Sequence, residues 1–144
     1  MRFASIIPLI GGATLAMQNV LQRKPEYLLS YDVFKENDNH LVQYYKGAVP
    51  YHLYGDNGVP NLPNVEVINT VCPCAGLSSL SPSASSTNPM NEWMYKSAEY
   101  VLGEVQPKVF WGENAPRLAS KMGEPVVKRL RKIAEKNGYT MSIF

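Results

Sequence analysis

Apolar positions along this chain fall into short continuous runs and longer runs at helical spacing, and the two kinds alternate. Residues 3–8 (FASIIP) are a brief apolar run closed by proline, which predicts a buried strand. Residues 12–23 follow with apolar positions at helical spacing and stop before Pro25, which predicts a helix. The exchange then repeats. Residues 26–32 predict a strand, 35–47 a helix stopped by Gly47, and 49–56 a short strand. After the turn-rich segment 56–64, the β-branched run 65–71 (VEVINTV) predicts a central strand. Residues 76–89 are a Ser/Pro loop, 90–105 a helix, and 108–114 (KVFWGEN) a strand. Residues 116–138 predict a helix interrupted between Gly123 and Pro125 and closed by Gly138, and 139–144 (YTMSIF) a last strand.

Strands alternating with helices predict an α/β fold, a three-layer sandwich whose mostly parallel sheet is covered on both faces. The 144 residues are read as a single domain, long enough to bury a continuous core. A hydrophobic fraction of 45% with 18% charged residues excludes a disordered chain. The formal net charge of +2 permits a nucleic-acid partner without demanding one. The first residues, MRFASIIPLIGG, share features with a secretory leader, but Pro8, Gly11 and Gly12 break the apolar run and helix-like sequence follows at once. A strand, a glycine turn and a helix are the expectation there. No apolar stretch reaches the ~20 residues that a membrane helix needs.

Both cysteines lie in TVCPCAGLS, residues 70–78. Two thiols one residue apart are no disulfide framework, which points to a reducing, cytoplasmic compartment. Cys72, Cys74, His40 and His52 are the only Cys and His residues, and none follows in the second half, so no zinc site is expected. Cys-Pro-Cys is not the redox spacing Cys-x-x-Cys. Pro73 is expected to end the strand, leaving Cys72 in the core and Cys74 on a loop. Burial of both thiols is the plain alternative.

In parallel sheets, ligands bind beyond the carboxyl ends of the strands. Five strand ends here carry polar or glycine signatures. Gly11 and Gly12 precede a helix, which suits either an anionic group or a tight turn. Asp32, before Val33, suits a ribose diol or a helix cap. Asp56 suits an adenine amine or a turn. Pro73 and Cys74 follow the fourth strand, and Glu113 and Asn114 the fifth.

Pro73-Cys74-Ala75-Gly76-Leu77-Ser78, with Pro107-Lys108-Val109-Phe110-Trp111-Gly112-Glu113-Asn114-Ala115 further on, resembles the Pro-Cys and Glu-Asn-Val motifs of DNA (cytosine-5) methyltransferases. IGGATLAMQNVL, from Ile10, resembles that family's glycine-rich cofactor motif, and Asp32 and Asp56 fall where it places two acidic cofactor contacts. The resemblance covers nearly the whole chain, in order. It departs at Leu9, where a further glycine is usual, at Ala75, where glutamine is usual, and at Asn91 and Glu92, where an arginine is expected.

The resemblance implies a Rossmann-like S-adenosylmethionine-dependent methyltransferase fold and methylation of cytosine C5 in flipped-out DNA. It makes Cys74 the nucleophile that adds to C6, Glu113 the acid at N3, supplied with a raised pKa by burial, and Asn114 a brace for the cysteine loop. It places S-adenosyl-L-methionine against Gly11, Gly12, Asp32, Val33, Asp56 and Pro73, with Met94 closing over it or simply filling the helix core. Double-stranded DNA is the implied partner. A transfer-RNA methylating family shares these motifs, which leaves RNA open. The family continues into a target recognition domain, so the chain is expected to be C-terminally incomplete and to need a complementing C-terminal subunit. The basic cluster Lys128, Arg129, Arg131 and Lys132 is a weak phosphate footprint or a solvated face. A catalytically inactive binding or regulatory module, and a different methyltransferase or dinucleotide enzyme on the same sheet, are the alternatives. Restriction-modification, regulation and phage self-protection stay unseparated.

Overall fold

Phe3–Ile6 form strand β1, and all four residues are buried. A strand covered on both faces reads as continuous apolar sequence, which is why FASI shows no alternation. In the computed structural model, which describes residues 1–55, 58–59 and 61–144, β1 is the centre of a five-stranded, all-parallel sheet. The other strands are β2 (Leu28–Ser30), β3 (Tyr51–Leu53), β4 (Val67–Thr70) and β5 (Val109–Gly112), in the order β3-β2-β1-β4-β5. The expected α/β fold with a parallel sheet is the one observed, and the strands are shorter than the apolar runs that predicted them.

The chain divides into two compact units. The first, Met1–Val71 with Pro107–Gly112, holds the whole sheet and helices α1 (Gly12–Leu21) and α2 (Lys35–Tyr45). A 3-10 turn, Asp32–Phe34, leads into α2. Leu28, Leu41, Tyr45 and Val49 form a core cluster, with Leu15 and Tyr51 packed against it. Each large apolar side chain buried this way contributes roughly 1.5–3 kcal/mol. Side-chain hydrogen bonds cross-link the elements of this unit. Thr14 Oγ1 donates to Ser5 Oγ (2.8 Å), and Ser5 Oγ donates to Asn69 Oδ1 (2.6 Å), joining α1, β1 and β4. Tyr45 Oη donates to Gln18 Oε1 (2.9 Å), joining α2 to α1.

The second unit, Cys72–Gln106 with Glu113–Phe144, carries helices α3 (Glu92–Tyr100) and α4 (Glu124–Lys136). A 3-10 turn, Pro89–Asn91, opens α3, and a π-helical turn, Val101–Val105, ends it where Gln106 turns left-handed. α3 and α4 are tied by Arg129, which reaches Glu92 Oε1 (3.2 Å) and stacks 3.9 Å over the Tyr95 ring. The expected interruption is present but falls earlier than Gly123–Pro125: a 3-10 turn, Pro116–Ala119, stops at Ser120, and Pro125 stands in the first turn of α4.

One expectation fails. Residues 139–144 form no strand. α4 ends at Lys136, Gly138 turns the chain with a φ of +83°, and Tyr139 N–H bonds back to Ala134 O. Apolar sequence alone makes no strand; its backbone groups need a ladder partner, and Phe144 is fully exposed. No helix among the described residues is long and apolar enough to cross a membrane.

Candidate functional site

In the first unit the chain leaves β1 toward β2 on one side while β4 pairs on the other, so the sheet has its switch point between β1 and β4. The loop after β1 starts there, and Val71 N–H donates to Ile7 O (3.2 Å) across that point. The loop is unusual in its backbone. Ile7 (φ +51°), Leu9 (φ +50°) and Gly11 (φ +95°) are all left-handed. Gly11 caps α1 with no side-chain hydrogen bond, so the first N–H groups of the helix keep their capacity for an anionic ligand. A Cβ on Gly12 would meet nothing within 4 Å, so this side of the loop is open. After β2, Asp32 opens the 3-10 turn and is exposed with Val33. Asp56 lies outside the described residues.

The loop is held from behind by a residue that sequence reasoning passed over. Asp38 of α2 is wholly buried. Its Oδ1 accepts from Leu9 N–H (3.0 Å) and its Oδ2 from Tyr51 Oη–H (2.6 Å). Burial raises its pKa above the ordinary 3.8, against the lowering effect of these hydrogen bonds. The signal was present in the sequence: Asp38, Leu41 and Tyr45 share one helical face, and an acid in an apolar stripe needs partners.

In the second unit the two thiols separate as expected. Cys72 is buried and its Sγ reaches Ser97 Oγ (3.7 Å), whereas Cys74 is exposed. Cys74 heads a tight turn, its carbonyl accepting from Leu77 N–H (2.9 Å) and Ser78 N–H (2.8 Å). The Ser/Pro loop is ordered by amides. Ser85 N–H donates to Gly76 O (2.9 Å), and Asn91 Nδ2 to Ser85 O (2.9 Å). Asn88 Nδ2 donates to Ser83 O (2.9 Å), and Asn88 Oδ1 accepts from Met90 N–H (2.9 Å). Asn91, nearly fully buried, occupies the space a Cβ on Gly76 would take. This amide scaffold went unrecognised because the loop's polarity reads as solvation until its partners are known.

Asn114 Nδ2 donates to Met94 Sδ (3.4 Å) and its Oδ1 accepts from Ala115 N–H (2.8 Å), so its side chain ties the segment after β5 to α3. Met94 is buried and Pro73 half-buried. Glu113 is exposed, contrary to the burial expected for it, because it follows a strand whose own residues are exposed or half-exposed.

The geometry that links the two motifs lies in the sheet. β4 and β5 pair in register with Thr70 opposite Gly112. One strand leads on through Val71 to Pro73 and Cys74, the other directly to Glu113 and Asn114. A comparison with curated proteins finds no match. Among known families, residues 1–143 match the one described as C-5 cytosine-specific DNA methylase. The parallel sheet, the open glycine loop at its switch point and a match that spans the motifs after β1, β4 and β5 agree: the chain belongs to the C-5 cytosine-specific DNA methylase family.

Proposed function

We propose that this chain methylates C5 of a cytosine swung out of the DNA duplex, through a covalent adduct between Cys74 and the base, as one catalytic domain. The family is one of DNA (cytosine-5) methyltransferases, and its methyl donor is S-adenosyl-L-methionine. When bound, that group supplies an electrophilic methyl carbon. The residues of the first unit fit it: an open loop at Gly11 and Gly12, an uncapped helix start for its carboxylate and the exposed Asp32 for its ribose hydroxyls.

The protein's own part of the reaction concerns the pyrimidine. Cytosine C5 is a poor nucleophile while the ring is aromatic. The Cys74 thiolate gives an electron pair to C6 and forms an S–C6 bond. The C5–C6 π pair then makes C5 enamine-like and nucleophilic. Glu113 donates a proton or hydrogen bond to N3, which takes up the charge that addition pushes into the ring. Later loss of the C5 proton and return of the C6–S pair to sulfur regenerate the thiolate. Asn114, bonded to Met94 and Ala115, keeps the segment carrying Glu113 in place. An exposed Cys74 suits a base that must leave its stack to be reached.

The observation that carries this reading is the Thr70–Gly112 register, which starts the cysteine and glutamate segments from adjacent strand ends. The test is a DNA duplex carrying 5-fluorocytosine, from which the C5 proton cannot be lost. The wild-type protein with S-adenosyl-L-methionine is expected to give a denaturant-resistant protein–DNA complex. Cys72→Ser is expected to keep it and Cys74→Ser to lose it. A complex that survives in Cys74→Ser removes the mechanism.

A further inference from the structure

Among the described residues, Asp38 is the one charged side chain buried from solvent. Nothing in the methyl-transfer chemistry uses it, yet both of its oxygens are engaged, one by the backbone of Leu9 and one by Tyr51. A carboxylate taken out of water this way is costly, and proteins keep such groups where they hold something.

What it holds is strained. Leu9 has φ +50° and Ile7 φ +51°, conformations that side-chain-bearing residues rarely adopt and that persist only when their surroundings impose them. At Ile7 the neighbouring strand segments impose this conformation, through Leu29 O and Val71 N–H; at Leu9 and Gly11 the imposition comes from α2. Asp38 takes the Leu9 N–H. One turn on, Leu41 packs so close to Gly11 that a Cβ there would lie 2.5 Å from Leu41 Cδ1. Two residues of one helix face thus grip the loop at the middle and the end of its left-handed stretch, and Tyr51 on β3 seats the carboxylate. At position 9 a glycine would adopt the same φ without help; a leucine requires the grip.

We propose that Asp38, seated by Tyr51, is a positioning residue for the cofactor, holding the loop of residues 7–11 in the left-handed form that keeps Gly12 and the start of α1 open. The proposal rests on reading that loop as the binding site of S-adenosyl-L-methionine.

The test combines S-adenosylhomocysteine titration by calorimetry with amide hydrogen exchange of the ligand-free protein. Asp38→Asn keeps size and shape, and Tyr51→Phe removes a single hydroxyl, so each variant is expected to fold. Each is expected to weaken binding by about tenfold or more, as for a lost hydrogen bond to a charged group. Leu9 N–H is expected to exchange faster by a similar factor while amides of β1 and β4 keep their protection. Leu9→Gly placed in Asp38→Asn is expected to restore binding to within about threefold of Leu9→Gly alone, because glycine needs no imposed φ. A merely structural role would leave the double variant as weak as Asp38→Asn. Unchanged binding in Asp38→Asn, or no rescue by glycine, overturns the proposal. Failure of the wild-type protein to bind overturns the cofactor reading instead, and the Leu9 exchange rate then decides whether the clamp exists.

Discussion

Thr70 on β4 and Gly112 on β5 sit opposite one another, and a methyl group at position 112 would lie 2.7 Å from Thr70 Cγ2 and 3.2 Å from the Thr70 carbonyl oxygen. The two strands approach too closely there for any side chain. Gly112→Ala is therefore expected to destabilise the chain by about 1–3 kcal/mol, the usual cost of overpacking. Urea unfolding followed by circular dichroism measures it. Thr70→Ser, which removes the methyl in the way, is expected to recover part of the loss. An alanine variant as stable as wild type would mean that the strand ends have slack.

The two thiols are expected to react at different rates. Cys74 is exposed and should be alkylated by iodoacetamide in the native protein. Cys72 is 3% exposed and should be labelled only as fast as its surroundings open. Peptide mass spectrometry after timed quenching distinguishes them. Equal labelling rates would contradict the separation of the pair.

Asp38 should leave a signature in the pH dependence of stability. The groups facing it are the Tyr51 hydroxyl on β3, the Leu9 N–H and the buried Ser30 hydroxyl on β2, which lowers its pKa although it falls short of full hydrogen-bond geometry. Asp32 lies near enough to raise the pKa of Tyr51, which stays protonated. Burial outweighs the hydrogen bonds, so the folded protein holds the Asp38 proton more tightly than the unfolded chain, whose carboxyl titrates near 3.8. More protons bound in the folded state means that stability falls as pH rises from the unfolded pKa through the raised folded one. Urea midpoints across that interval should show this contribution in wild type and lose it in Asp38→Asn. An identical profile in the variant would show that Asp38 does not titrate there.

Arg129 should matter less than its contacts suggest. Its ion pair with Glu92 joins side chains 51% and 48% exposed, and solvent screens such pairs. With the Tyr95 ring contact included, Arg129→Ala is expected to cost no more than about 1 kcal/mol, and less in raised salt. A larger loss, by thermal unfolding, would make Arg129 a principal tie between α3 and α4.

The alternation of apolar runs was enough to place five strands and their helices, because a strand buried on both faces and an amphipathic helix differ in period. The order of glycine, acid and cysteine motifs carried the family for the same reason: each stands at a strand end, and strand ends can be counted along the chain. Pro73 was enough to separate a core thiol from a loop thiol. What the linear order could not contain was decided by contacts between distant residues. The segment 139–144 is apolar enough for a strand but has no ladder to join, and Glu113, expected to be buried at a strand end, is exposed because the strand before it is itself half-exposed. Asp38 lies 29 positions from Leu9 and 13 from Tyr51. A carboxylate becomes a clamp only when folding removes water from around it and brings its two donors into reach, and those conditions belong to the packed chain.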